Sequence, residues 1–233
     1  MNNSKLIEIC KKHILTDNID SVFKEPYIPY LPKGEWNGIL ILAEAQNLSN
    51  SEYVEDLKKS SSIRRICRLC DSDPDDIGVQ PWDDCSMKLA IESAFDTSAE
   101  NTAVSNAVLW SQIDKNGNNK NPSTDLIVKS IEVWADFLPI IRPEHIITCG
   151  NIAHKVIGNI KQIGTPSWKP TKWRLPSRTA MSRISGMFPE GDLLSRYHEV
   201  KEVATRHPEW LKGGYRQNKI FFACHAVSVS NAI

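Results

Sequence analysis

Behind Gly38 the chain runs Ile39-Leu40-Ile41-Leu42-Ala43-Glu44-Ala45-Gln46-Asn47. Four consecutive aliphatic residues after a glycine fit a strand buried on both faces, the kind found inside a parallel sheet covered by helices. No other stretch constrains the fold as much, because such a strand needs helical layers above and below it. In open parallel sheets, ligands bind where the carboxyl ends of strands meet loops. Glu44 stands at that end, and Ala43 and Ala45 leave room beside it. A solvated loop acid is the plain reading of one such residue; three later stretches give it company.

Those stretches come from a chain that alternates strands and helices. Ser4 to Ile14 carries apolar residues at helical spacing, and Pro26, Pro29 and Pro32 then break regular structure before the first strand. Helices are expected at Tyr53 to Lys59, Ser86 to Phe95, Asp125 to Ile141 with Ser123 or Thr124 as cap, Asn151 to Ile160, and Gly191 to Ala204. Strands are expected at Thr102 to Trp110, His145 to Cys149, Lys172 to Leu175 and Lys219 to Val227, with Asp114 to Ser123 a loop. This alternation predicts parallel α/β layers with right-handed crossovers. With 233 residues, 41% of them hydrophobic, the chain suffices for one core. The expectation is a single domain over 1–233, of which 1–36 forms an N-terminal helix and a wrapping segment.

No apolar run reaches membrane-spanning length, and Met1 to Asp20 lacks a signal-peptide core, so a cytoplasmic protein is expected. Six cysteines in such a compartment read as free thiols; Cys67-Arg68-Leu69-Cys70 has the spacing of half a metal site, with no second half at an obvious distance. The net charge of zero argues against a protein that coats nucleic acid nonspecifically. Yet His145 to Pro189 contains no acid and holds Lys155, Lys161, Lys169, Lys172, Arg174, Arg178 and Arg183. That segment is either a phosphate-binding face or a solvated surface offset by the Asp-rich stretch from Asp71 to Asp84.

Asn106 lies in the middle of an apolar strand, where an amide is costly unless paired. It is either a structural tie to a neighbouring loop or a reader of a nucleobase edge, for which an amide offers both donors and an acceptor. Trp82, after Pro81 in a polar loop, is either an ordinary packing residue or a stacking platform for a base. The turn Pro176-Ser177-Arg178 is a loop that offers a hydroxyl and backbone N–H groups to a phosphate.

In order and spacing these stretches resemble the uracil-DNA glycosylase superfamily over roughly Gly38 to Arg183. Ala43-Glu44-Ala45-Gln46-Asn47 takes the place of a Gly-Glu-Ala-Pro-Gly motif, and Gly78 to Trp82 that of a Gly-x-Pro-Phe loop. Ser105-Asn106-Ala107-Val108 stands for the strand with the base-reading Asn. Asn121-Pro122 through Arg142-Pro143 to Gly150-Asn151 matches a helix, a basic-Pro pair, a strand and a glycine. Leu175-Pro176-Ser177 stands where the family has His-Pro-Ser. The iron–sulfur cysteines of some families have no counterparts.

The resemblance implies a three-layer α/β/α fold around a mostly parallel four- or five-stranded sheet. It also implies a monomeric DNA glycosylase with no metal or other cofactor, acting on a base flipped out of DNA. Glu44 and Asn47 would be catalytic; Ala45, Gln46, Trp82 and Asn106 would bind the base. Lys172, Arg174, Ser177, Arg178 and Arg183 would grip the DNA backbone, and Arg178 or Met181 would fill the vacated stack. With Leu175 in the histidine's place, Arg174, Arg178 or His225 is expected to supply the positive charge. A remodelled pocket points to a modified pyrimidine, such as hypermodified phage cytosine, and to a role in antiphage defence. Excision of uracil or another deaminated base, and a catalytically inactive DNA-binding member of the fold, are the alternatives. An unrelated α/β hydrolase or nucleotide-binding protein is disfavoured, since neither a Gly-rich phosphate loop nor a nucleophile elbow is present.

Overall fold

A computed structural model describes residues 3–46, 48, 52–70, 84–160, 169–174 and 185–231. At its centre is β1 (Ile39–Ala45), which has a parallel neighbour on each side and whose Ile39, Leu40, Ile41 and Leu42 are all buried, because helices cover both faces of the sheet. β2 (Ala103–Val108) lies on one flank, and β5 (His145–Cys149) then β6 (Thr171–Trp173) on the other, giving the all-parallel order β2-β1-β5-β6. Leu42 stands in register with Ser105 on one side and Thr148 on the other. Among the described residues two further strands, β3 (Gln112–Ile113) and β4 (Asn119–Lys120), form a small antiparallel hairpin; β3 ends just before the Asp114–Ser123 stretch expected to be a plain loop, and β4 lies within it. The turn there is held by Asp114, whose carboxylate accepts from the Asn116 and Asn118 N–H groups.

Helices cover both faces, so the fold is a three-layer α/β/α sandwich. In chain order they are α1 (Asn3–Lys12), α2 (Glu52–Lys59), α3 (Ser62–Ile66), α4 (Ser86–Phe95), α5 (Thr124–Ile141), α6 (Asn151–Gly158), α7 (Glu190–Arg196), α8 (His198–Arg206) and α9 (Arg216–Ser230). α5 begins at Ser123, whose side chain accepts from the Leu126 N–H, and ends where Arg142 turns left-handed before Pro143. α5 and α6 pack together on one face, where the Trp134 indole donates to the Ala107 carbonyl at 2.9 Å. α4 and α9 form the other layer and make the most extensive helix–helix contact in the fold. Trp173 of β6 packs into that layer, with Phe222 edge-on at 5.8 Å and Phe95 at 6.3 Å.

Two expectations are corrected. Lys219 to Val227 belongs to α9 and is not a strand. Its residues Ile220, Phe222, Ala223, Cys224, Ala226 and Val227 are buried, so the segment is apolar on nearly every side and shows no helical period. A short apolar run of this kind is indistinguishable from a buried strand by pattern alone. The last expected helix, Gly191 to Ala204, is two helices that break at Tyr197, whose φ of −115° and ψ of 84° are not helical. α3 was not expected at all; Ser61 caps it by accepting from the Arg64 N–H.

The segment between α1 and β1 lies along the open edge of β2. Tyr27, Ile28 and Tyr30 are buried, Tyr30 exchanges backbone hydrogen bonds with Val104, and the Ile28 N–H donates to the Ile66 carbonyl. An edge strand left bare is a template for pairing with another chain, and this segment covers it. No helix among the described residues is long and apolar enough to cross a membrane.

Candidate functional site

The four parallel strands end together, and the predicted site residues that the structure describes cluster at those ends. Glu44 projects from the last turn of β1 onto the start of α6. Its Oε1 accepts from the Ile152 N–H at 3.1 Å, using a donor that the first turn of a helix leaves without an intrahelical partner. Gly150 makes the approach possible: its φ of 100° and ψ of 176° lie in a region open essentially to glycine alone. A Cβ on it would sit 2.8 Å from the Glu44 Cδ. The strand-glycine-helix sequence Thr148-Cys149-Gly150-Asn151 thus brings a backbone N–H to this carboxylate. Glu44 is half-buried and its other oxygen has no protein partner among the described residues. Cys149 is no nucleophile: burial, helped by the charge of Glu44, pushes its thiol up to about 12.

Cations stand on the elements around this carboxylate. Lys172 donates from Nζ to the Asn151 Oδ1 at 2.6 Å, which ties β6 to the head of α6. Lys155, Lys172 and Arg174 are exposed, and none forms an ion pair among the described residues. His154, one turn into α6, meets the Thr148 hydroxyl at 3.1 Å through Nδ1, while that hydroxyl donates to the Thr171 carbonyl. Burial and then the nearby Lys172 hold His154 below the usual histidine range.

Asn106 lies elsewhere around the same edge. It stands in register with Ala43, and because side chains alternate along a strand, it faces the α4/α9 layer while Glu44 faces α6. The two residues therefore approach a common ligand only around the end of β1, across Ala43 and Ala45. Asn106 is 4% exposed, and its Oδ1 accepts from the Tyr27 hydroxyl at 2.5 Å. Tyr27 is fully buried, and the guanidinium of buried Arg68 stands 3.9 Å from its ring centroid. Arg68 also donates from Nε to the Gln46 Oε1 at 3.0 Å, and the Gln46 carbonyl accepts from Ser111 Oγ at 2.7 Å. Gln46 and Asn106, both expected to bind the base, are thus joined through Arg68 and Tyr27.

His225 does not fill the role left by Leu175. It lies within α9, and its Nε2 accepts from the Arg174 N–H at 3.1 Å, so its free lone pair is spent on the backbone. Burial and then the Arg174 charge hold it below the usual histidine range. The expected roles of Asn47, Trp82, Leu175, Ser177, Arg178, Met181 and Arg183 fall outside the described residues. Among the described residues no group of three His, Cys, Asp or Glu side chains is placed to hold a metal ion. A cavity of about 390 Å³ lies by Thr97, Ser98 and Glu100, ahead of the start of β2 and away from these strand ends, lined also by His207 stacked on Trp210.

Sequence reasoning missed Tyr27, Arg68, Asn151 and His154. For Asn151 and His154 a signal existed, since Gly150-Asn151 opens a helix directly after a strand. Tyr27 and Arg68 reach the site from distant parts of the chain, and nothing local marks them. A scan against protein-family models returns no match for this chain, and no curated protein matches it either.

Proposed function

We propose that this chain is a DNA glycosylase that flips a nucleotide out of DNA and hydrolyses its N-glycosidic bond. The observation that carries the reading is the Glu44 carboxylate: one oxygen is fixed by the Ile152 N–H, and the other is left to hold a water. A carboxylate so oriented acts as a general base toward water attacking C1′, or as a fixed negative charge beside the cationic sugar that develops as the base leaves. Asn106 contacts the base, and small Ala43 and Ala45 give it space. Exposed Lys155, Lys172 and Arg174 supply cations for backbone phosphates on the same rim. The resemblance in motif order over Gly38 to Arg183 is what directs these parts to DNA and to a modified pyrimidine; the biological setting that follows is antiphage defence in the cytoplasm, with uracil or another deaminated base as the competing substrate.

The test is Glu44→Gln, which keeps the side-chain shape and an acceptor oxygen for Ile152. It is expected to bind DNA as the unchanged protein does and to leave no alkali-labile abasic sites in DNA carrying modified cytosine, uracil or hypoxanthine. Full base release by Glu44→Gln removes Glu44 from the chemistry. A second reading, a DNA-binding member of the fold without catalysis, is favoured by the commitment of a Glu44 oxygen to the head of α6. Abasic-site formation by the unchanged protein decides against it.

A further inference from the structure

The amide of Asn106 is not symmetric in what it offers a ligand. Its oxygen is taken by Tyr27, whereas its nitrogen has no hydrogen-bond partner among the described residues. The Ser105 hydroxyl is the one fully buried side-chain polar atom without a partner among those residues. The Asn106 nitrogen is not among the fully buried side-chain atoms left without a partner, and the residue as a whole is 4% exposed. A donor this deeply set is costly unless a partner, from the protein or from a ligand, completes it.

Tyr27 also changes the strength of both ends of that amide. Burial keeps the phenol protonated, so it donates. The Arg68 guanidinium 3.9 Å from the ring centroid draws electron density from the phenol and makes its O–H a stronger donor. Hydrogen bonds in series polarise one another. An amide whose oxygen already accepts a strong hydrogen bond is a better donor at nitrogen and a poorer acceptor for a second partner.

We infer that Tyr27 is a specificity-determining residue that makes Asn106 a donor-type reader, selecting bases whose N3 is an acceptor over imide bases whose N3 carries a hydrogen. The favoured class is the cytosine type, with N3 and O2 as adjacent acceptors; uracil and thymine present N3–H, which finds only a weakened acceptor. This inference rests on the proposed function for the identity of the ligand and deepens it on substrate class. A site that leaves a buried donor unpaired rejects that ligand more strongly than lost packing does.

The experiment measures binding, not excision. The Asn106 side-chain NH2 resonances, assigned by their loss in Asn106→Asp, are followed by NMR during titration with 2′-deoxycytidine and 2′-deoxyuridine. Deoxycytidine is expected to shift them and to bind roughly tenfold more tightly than deoxyuridine, the ratio that one mispaired hydrogen bond produces. Tyr27→Phe keeps the ring under Arg68 and removes only the hydroxyl; the ratio is expected to fall toward one. A 5-nitrouracil nucleoside, which loses its N3 proton near neutral pH, is expected to bind the unchanged protein more tightly as pH rises through that ionisation. This arm keeps the inference testable should Tyr27→Phe fold poorly. Equal binding of the two nucleosides, binding of neither, or a ratio unmoved in well-folded Tyr27→Phe overturns the inference. Discrimination at N3 without base release from DNA leaves it standing and sinks the glycosylase reading; base release with no nucleoside discrimination does the reverse.

Discussion

Gly150→Ala separates two roles of the residue that carries Glu44 to its place. The backbone there has φ 100° and ψ 176°, and an L side chain in that region costs about 1–3 kcal/mol. The added Cβ would also stand 2.8 Å from the Glu44 Cδ, so the carboxylate must swing away and release the Ile152 N–H. Losing a hydrogen bond to a charged group costs about 1.5–3 kcal/mol. The sum is about 4 kcal/mol, which for a chain of this length lowers Tm by roughly 8–16 °C. Chemical denaturation of Gly150→Ala, Glu44→Ala and the double variant apportions the sum. With Glu44 already truncated, Gly150→Ala is expected to cost only the backbone part, so the coupling energy is about 1.5–3 kcal/mol. Should Gly150→Ala cost the same in both backgrounds, the close approach of Glu44 is not what the glycine serves, and the account of the site built on it fails.

Other expectations follow from the same geometry. Replacing Lys172 and Arg174 together by Ala should weaken DNA binding without changing base preference and reduce the slope of log affinity against log salt by about 2, read by fluorescence anisotropy across a salt series. His154 and His225 both have folded-state values held below their ordinary 6.5, so each binds fewer protons folded than unfolded. Their contribution is complete above about pH 6.5 and is lost as pH falls below it. Urea midpoints should therefore drop between neutral and mildly acidic pH, and His154→Gln with His225→Gln should flatten that drop. Arg68→Ala, which removes the cation over Tyr27 and the partner of Gln46, should cost about 3 kcal/mol, whereas Arg68→Met should cost less because it refills the volume without a charge.

Much of the fold was legible because burial writes itself into composition. β1, β2 and β5 are apolar runs with turn residues behind them, and their parallel pairing follows from the helices between. α9 was not legible: it is buried around most of its surface, so the run Lys219 to Val227 carries no period to distinguish helix from strand. At the site, the position of Glu44 could be read, since a strand end is visible from its own residues. Its partner Ile152 could not, since the contact depends on how β5 and α6 meet. The Tyr27–Asn106 hydrogen bond joins residues far apart in the chain, and the extended Pro-rich stretch that carries Tyr27 gives no sign of which strand it lies against. Of the two candidate readings of Asn106, the structural tie is visible at its oxygen, which Tyr27 holds; the base reader would use the other end of the amide.

The cover that the segment through Tyr30 provides for β2 also sets an order of events during synthesis. Tyr30 leaves the ribosome well before Val104, and β1 is made before the strand that will lie between it and that segment. The early segment must therefore wait, unpaired, while the central hydrophobic strand is already exposed. Closing so long a loop is slow compared with forming the local helices. A chain shortened ahead of β1 would reach the finished sheet with one margin bare, and its failure would show as strand-to-strand association between copies, increasing with protein concentration, before any loss of helix.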